Sequence, residues 1–144
     1  MFSMIQSMPY AKAKVRGNAS YPDIQGEVSF YEVYGGTVVV ASVFNLPEGD
    51  GFHGFHIHEG NSCASMKAGG HYNPTKVSHP SHAGDMPPLL ANHGKAFSAF
   101  YTTRFYPEDI AGKVVVIHAM PDDFISQPSG NPGSMIACGV IQEL

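Results

Sequence analysis

Apolar and polar positions alternate along several short stretches of this chain, and many of the apolar residues are β-branched. The stretches are AKAKVRG (11–17), QGEVSFYEV (25–33), TVVVASVFNL (37–46), KAFSAFYTTRF (95–105), KVVVIHAM (113–120) and MIACGVIQ (135–142). A period of two is typical of half-buried strands. Together with a histidine-containing segment near residue 55, the pattern predicts about eight strands in an all-β, antiparallel sandwich or barrel.

Two long segments interrupt this pattern. Residues 60–94 are dominated by Gly, Ser, Asn, Pro and His, and residues 121–134 read PDDFISQPSGNPGS. Ordered loops of this length are usually functional. We therefore expect these two loops to carry much of the chemistry.

The chain length and charge narrow the class of protein. A length of 144 residues predicts a single domain, residues 1–144, with residues 1–10 as a loosely ordered N-terminal extension. The net charge of −4, with eight Lys and Arg, argues against the basic face that nucleic-acid binding needs. The apolar runs are too short for a transmembrane helix. We therefore expect neither nucleic acid nor a membrane as a partner.

The clues to the cellular compartment disagree. The N-terminal stretch MFSMIQSMPY lacks the basic start and the continuous apolar run of a signal peptide, which predicts a cytoplasmic location. Cys63 and Cys138 could form one disulfide bond, which favours an oxidising compartment. A secreted or cell-envelope location, with a signal removed, is therefore the alternative.

The segment GFHGFHIHEG (51–60) holds three histidines in six positions. Because side chains alternate along a strand, His56 and His58 project from one face, while Phe55 and Ile57 project from the other. The first two can therefore converge on one metal ion. His53 falls on the side of Phe55 and Ile57, and we predict that it binds nothing.

A second cluster of candidate ligands lies in the first long loop. Its members, three imidazoles and one carboxylate, are His71, His79, His82 and Asp85. Such a set suits a tetrahedral zinc ion. Zinc would also explain how a long loop with few apolar residues becomes ordered.

Another histidine, His118, ends the apolar strand VVVIH (114–118). Taken alone, a histidine at a strand end is more often hydrogen-bonded than metal-bound. Asp122 follows closely, and its carboxylate could accept a ring N–H and so fix the tautomer of a ligand.

Six segments, in order and spacing, resemble the copper/zinc superoxide dismutase family. They are GFHIHE (54–59), GGHYNP (69–74), SHAGD (81–85), VVVIH (114–118), DD (122–123) and GNPGSMIACGVI (130–141). The similarity covers almost the whole chain from about residue 11. It implies a Greek-key β-barrel with two functional loops, and electrostatic attraction of a small anion.

The resemblance also implies roles for individual residues. The implied copper ligands are His56, His58, His71 and His118, and the implied zinc ligands are His71, His79, His82 and Asp85. His71 would then bridge the two ions as an imidazolate and carry a proton during catalysis. Asp122 would link a copper ligand to a zinc ligand, and Cys63 and Cys138 would form the family's disulfide bond.

The implied activity is conversion of two superoxide ions to O₂ and hydrogen peroxide by redox cycling of copper, with zinc in a structural role. One position departs from the family: Met135 stands where an arginine usually orients the anion. Methionine has no charge, so we expect a slower enzyme. Lys67, Lys76 or Lys95 could supply a compensating field.

Two other functions remain open at this point. One is a non-catalytic copper- or zinc-binding or copper-delivery protein on the same scaffold, which Met135 favours. The other is a structural zinc protein, which leaves the histidines on the strands without a role. A homodimer is a candidate assembly, although interfaces in this family differ between lineages.

Overall fold

The computed structural model describes residues 8–47, 51–64 and 68–144. Within these ranges the chain forms nine strands and one single-turn helix, α1 (Pro107–Ile110). The strands are β1 (Ala11–Gly17), β2 (Gln25–Val33), β3 (Gly36–Phe44), β4 (Gly51–His53), β5 (Phe55–His58), β6 (Leu89–Ala91), β7 (Ala96–Thr102), β8 (Val114–His118) and β9 (Met135–Glu143). The predicted all-β class is confirmed.

Seven strands form one antiparallel sheet in the order β5-β8-β9-β1-β2-β3-β7. The sheet curls into a half-barrel. After β7, at one end of the sheet, the chain crosses to β8, beside β5 at the other end. This crossover gives the Greek-key character that the resemblance implied.

A short two-stranded ribbon accompanies the sheet. β4 pairs with β6, and β6 packs beside β7, so the ribbon lies between the two edge strands β5 and β7. Gly54 separates β4 from β5. The sequence pattern indicated one continuous segment over residues 51–60 and predicted neither β6 nor α1.

The core fills the inner side of the curled sheet. Fully buried residues there include Phe30, Phe55, Ile57, Ile117 and Ile141. Because Phe55 pairs with Ile117 across β5 and β8, the residues that alternate with them point to the outer side. This alternation determines the direction in which the histidines of both strands project.

The predicted N-terminal extension is only partly covered, since residues 1–7 lie outside the described residues. Tyr10 pairs with the sheet: its backbone N–H donates to Phe30 O at 2.9 Å, and its carbonyl accepts from Leu144 N at 2.9 Å. Across the described ranges, no helix has the length and apolar character needed to cross a bilayer.

Candidate metal centre

Three histidines project from the outer side of the sheet. His56 and His58 lie on β5 and His118 ends the neighbouring strand β8. Although they point away from the core, all three are buried, at 0%, 6% and 5% exposure respectively. The loops that cover this face leave little of the three side chains exposed.

The first long loop lies along the free edge of β5. Ile57 N–H donates to Gly84 O at 2.9 Å, and Ile57 O accepts from Tyr72 N at 2.8 Å. Bridges of the antiparallel type also pair His58 with His71 and His56 with Asp85. Backbone hydrogen bonding therefore places two loop ligands directly beside the histidines of β5.

The structure brings four histidines together in what we call the strand group: His56, His58, His71 and His118. One ring nitrogen of each lies within 4.8 Å of the others. The ring of His71 stacks on that of His56, with centroids 4.0 Å apart. Four converging imidazole nitrogens are a donor set that suits copper.

Backbone carbonyls fix which nitrogen two of these rings present. His58 Nδ1–H donates to Gly69 O at 2.8 Å, and His118 Nδ1–H donates to Gly133 O at 3.1 Å. In both rings Nε2 is then the nitrogen with a free lone pair.

Four buried ring nitrogens of the strand group have no hydrogen-bond partner among the described residues. They are His56 Nδ1, His58 Nε2, His71 Nε2 and His118 Nε2. Buried polar atoms are rarely left unpaired in folded proteins. These atoms therefore fit a bound cation.

The environment keeps three members of the strand group, His56, His58 and His118, uncharged at neutral pH. Burial, followed by the charge of His71, lowers the pKa of His56 to about 3. Burial also lowers the pKa of His58 to about 4, against the hydrogen bond to Gly69. The pKa of His118 is lowered by burial in the same way. Neutral imidazole is the form that binds a metal.

A second set, which we call the loop group, contains His71, His79, His82 and Asp85. Asp85 is at its centre: Oδ1 lies 2.8 Å from His71 Nδ1, and Oδ2 lies 3.1 Å from His79 Nδ1 and 3.2 Å from His82 Nδ1. Burial would raise the pKa of Asp85, but the hydrogen bond from His71 and the electrostatic effects of the three histidines together outweigh it and lower that pKa. Three nitrogens and a carboxylate in one closed set suit tetrahedral zinc.

His71 belongs to both groups. Its Nδ1 lies 2.8 Å from Asp85 Oδ1 in the loop group, and its buried Nε2 has no hydrogen-bond partner among the described residues. This single imidazole therefore presents one nitrogen to each set.

Asp122 connects the two groups. Its Oδ2 accepts from His56 Nε2 at 2.7 Å, and its Oδ1 accepts from His79 Nε2 at 2.8 Å. Burial would raise the pKa of Asp122, but the bonds from His79 and His56 lower it. Gly130 has φ 82°, and a Cβ there would overlap Asp122 Oδ1, so the second loop can close on the carboxylate only with glycine.

A disulfide bond joins Cys63 to Cys138 across a sequence separation of 75. Cys138 lies on β9, opposite Val116 of β8, and Cys63 belongs to the first long loop. The bond therefore ties the loop to the sheet next to the strand group.

Residues 24–141 match the family model described as copper/zinc superoxide dismutase (SODC). This match covers most of the chain. The protein belongs to the copper/zinc superoxide dismutase family.

Named relatives agree with this assignment. A superoxide dismutase [Cu-Zn] of Legionella pneumophila is 34% identical over 152 aligned positions, which cover 99% of this chain and 93% of that protein. An extracellular superoxide dismutase [Cu-Zn] of Drosophila melanogaster is 35% identical and covers 95% of this chain and 84% of its own length. The enzyme of Photobacterium leiognathi is 37% identical over 64% of this chain and 65% of its own. The predictions of family, of enzyme class, and of copper and zinc as cofactors are confirmed.

Met135, which the sequence resemblance predicts at the position of the family's arginine, begins β9 and is 37% exposed. It lines a cavity of about 410 Å³ together with His58, His71 and His118. Among the described residues that line this cavity there is no lysine or arginine. Lys76 and Lys95 lie outside it, and Lys67 lies outside the described residues.

Sequence reasoning missed two residues that hold the loop group in place. Arg104 Nη1 donates to Pro80 O at 2.8 Å and to His82 O at 3.0 Å. Gln127 pairs with the backbone of His79, accepting from its N–H at 3.0 Å and donating to its carbonyl at 2.8 Å. No motif marks either residue, because both act on backbone groups that only the fold brings close.

His53 is buried at 3% exposure, and its Nδ1–H donates to His118 O at 2.9 Å. It belongs to neither the strand group nor the loop group. That His53 binds no metal stays a prediction. Its observed role is structural, through the hydrogen bond to the His118 carbonyl.

Proposed function

We propose that this chain converts superoxide to O₂ and hydrogen peroxide, with copper held by the strand group and zinc held by the loop group. The observation that supports this best is the set of four buried, unpartnered imidazole nitrogens beside a second closed set that shares His71. A structural zinc site alone would leave the nitrogens of His56, His58 and His118 without a function. The match to the family supports the same activity.

The residues of the chain have separate tasks in this proposal. Bound copper supplies one-electron redox chemistry, and bound zinc supplies a fixed charge that orders the loop. The carbonyls of Gly69 and Gly133 bind Nδ1–H of His58 and His118, which leaves Nε2 of each ring available to the metal. His71 Nε2 is the atom placed to hold a proton for the product. Asp122 keeps His56 and His79 in a fixed relative orientation.

The proposed rate is lower than that of relatives with an arginine at position 135. Superoxide is a small anion, and a cation beside the site attracts and orients it. Met135 lacks that charge, and the described lining of the cavity offers no replacement. Loss of an interaction of about 1–2 kcal/mol corresponds to a rate lower by roughly 5–30-fold.

Pulse radiolysis of the fully metallated protein tests the activity directly. We expect superoxide to decay much faster than in buffer, and Met135→Arg to raise the rate and sharpen inhibition by small anions. The matched control is Met120→Arg, which adds the same charge at an exposed methionine outside the cavity. Decay no faster than in buffer would contradict the activity. Equal rates for wild type and Met135→Arg would contradict the role of residue 135.

A non-catalytic metal-binding or copper-delivery protein is the second candidate, because Met135 leaves the cavity without its usual cation. The two functions differ in what happens to bound copper. A delivery protein transfers copper to an acceptor protein and does not accelerate superoxide decay, whereas the enzyme retains its copper over many turnovers.

The remaining proposals concern organisation and location. We propose one domain over residues 1–144, a homodimer, and a cytoplasmic location, with a secreted or cell-envelope form as the alternative. The Cys63–Cys138 bond supports the alternative, because disulfides persist in oxidising compartments. Sedimentation of the metallated protein tests the dimer, and fractionation of the source cells, with the redox state of both cysteines, tests the location.

A further inference from the structure

A β-bulge sets the direction of Met135. Ile117 pairs with Ala137, but the next residue, His118, pairs with Met135, so Ile136 is an extra residue on β9. Ile136 is fully buried in the core, whereas Met135 is partly exposed. Directly opposed residues on neighbouring strands project from the same side of a sheet. The bulge therefore puts the Met135 side chain on the outer side, next to His118.

The cavity that Met135 lines is also lined by histidines whose ring nitrogens have free lone pairs. His58, His71 and His118 also line it, and the Nε2 atom of each has no hydrogen-bond partner among the described residues. The His58 and His118 rings lie 5.7 Å apart between centroids. The Met135 thioether therefore lines the same cavity as three histidines whose Nε2 atoms have no partner among the described residues.

The two oxidation states of copper differ in the ligands they prefer. Thioether sulfur is a soft ligand that selects Cu(I), whereas imidazole serves both states. Methionine has an unbranched, flexible side chain that adapts its position to a partner. An arginine at this position has no lone pair to offer, so the substitution exchanges a positive charge for a soft ligand.

We propose that the Met135 sulfur binds Cu(I) beside His58 and His118, which makes this chain selective for the reduced ion. The inference rests on the proposed copper assignment of the strand group. It adds a ligand that the four-histidine set does not include. Because sulfur favours only the reduced state, Cu(I) is held more tightly while the affinity for Cu(II) stays with the imidazoles.

Two copper affinities of the zinc-loaded protein test the inference. Cu(I) affinity is measured by competition with bathocuproine disulfonate, and Cu(II) affinity by competition with a nitrogen and carboxylate chelator. In Met135→Leu, which keeps the size and removes the sulfur, we expect about tenfold weaker Cu(I) binding and unchanged Cu(II) binding. Met120→Leu is the matched control, since Met120 is more exposed and lies outside the cavity, and it should change neither affinity.

X-ray absorption of the Cu(I) form gives an independent readout. Wild type should show a sulfur neighbour of copper that Met135→Leu lacks. The Cys63–Cys138 bond must be intact in both samples, so that neither cysteine offers a free thiolate to copper. A sulfur signal that persists in Met135→Leu would then overturn the inference. So would unchanged Cu(I) affinity, or an equal loss of Cu(I) and Cu(II) affinity, which indicates only a structural role. Failure of wild type to bind Cu(II) would instead contradict the proposed function.

Discussion

The strand group and the loop group are built differently although they share His71. Three members of the strand group stand on β5 and β8, whose inner sides carry fully buried core residues such as Phe55 and Ile117. Every member of the loop group comes from residues 71–85, a segment without a strand of its own, where Asp85 and Asp122 contact the histidines. The strand group is thus positioned by the barrel, while the loop group is positioned by contacts among its own members and by Asp122.

Replacing His71, which both groups share, should affect the two groups alike. His71→Ala removes a nitrogen from each, so we expect affinity for copper and zinc to fall together. Since zinc sites gain about 10–16 kcal/mol from four ligands, one ligand corresponds to roughly a hundredfold. Competition titrations with each metal measure this. His82→Ala is the control, which should weaken zinc alone; loss of only one metal in His71→Ala would contradict the sharing.

Removing the disulfide bond should increase the difference between the two groups, because it loosens the first long loop more than the sheet. The double substitution Cys63→Ser and Cys138→Ser should lower the free energy of unfolding by about 4–5 kcal/mol, because it frees a long loop in the unfolded chain. We expect hydrogen exchange to rise most in residues 59–85 and least in β1 and β2. Denaturant titration and exchange mass spectrometry measure both effects. Uniform exchange across the sheet and the loop would contradict the picture of a loop tied to a rigid barrel.

As pH falls, the free energy of unfolding of the metal-free protein should decrease first because of the strand group. The pKa values of about 3 for His56 and about 4 for His58 lie below the ordinary value of 6.5, so between these values the unfolded chain binds more protons. Their contribution to stability is complete above pH 6.5 and is lost as pH falls, at up to about 1.4 kcal/mol per pH unit for each group. Asp85, whose pKa is also lowered, contributes its loss only below about pH 3.8.

Denaturant titrations of metal-free protein at several values between pH 7.5 and 4.5 measure this slope. We expect His58→Gln, which cannot gain the proton, to reduce it. A slope that His58→Gln leaves unchanged would show that other groups govern acid stability.

The smallest effect is expected from His53, the first of the three histidines in residues 51–60. His53→Ala removes the bond to His118 O, which should lower stability by about 1 kcal/mol and leave both metal affinities unchanged. Equilibrium unfolding and metal titration measure the two quantities. Loss of copper from this variant would contradict the separation of His53 from the strand group.

Sequence patterns predicted the elements and ligands that depend on local rules. β1 and β2 begin and end at the predicted residues, because their alternation is strong and uninterrupted. The projection of His56 and His58 followed from the same period of two. The loop group was predicted because its four donors lie within fifteen residues of one another.

The features that were missed depend on distant contacts. β6 is only three residues long and has no alternation of its own, since its pairing with β4 creates it. The bulge opposite His118 arises from the match between two strands, so neither strand shows it alone. Arg104 and Gln127 bind backbone carbonyls and amides, which any sequence would offer.

The backbone bonds between the first long loop and β5 have a consequence for solubility. β5 is an edge strand, and an exposed edge invites pairing with the edge of another molecule. The first long loop, which carries the loop group, occupies this edge through the bonds of Ile57. With zinc in the loop group, as we propose, this edge stays covered, and we expect protein stripped of zinc to aggregate before its barrel unfolds.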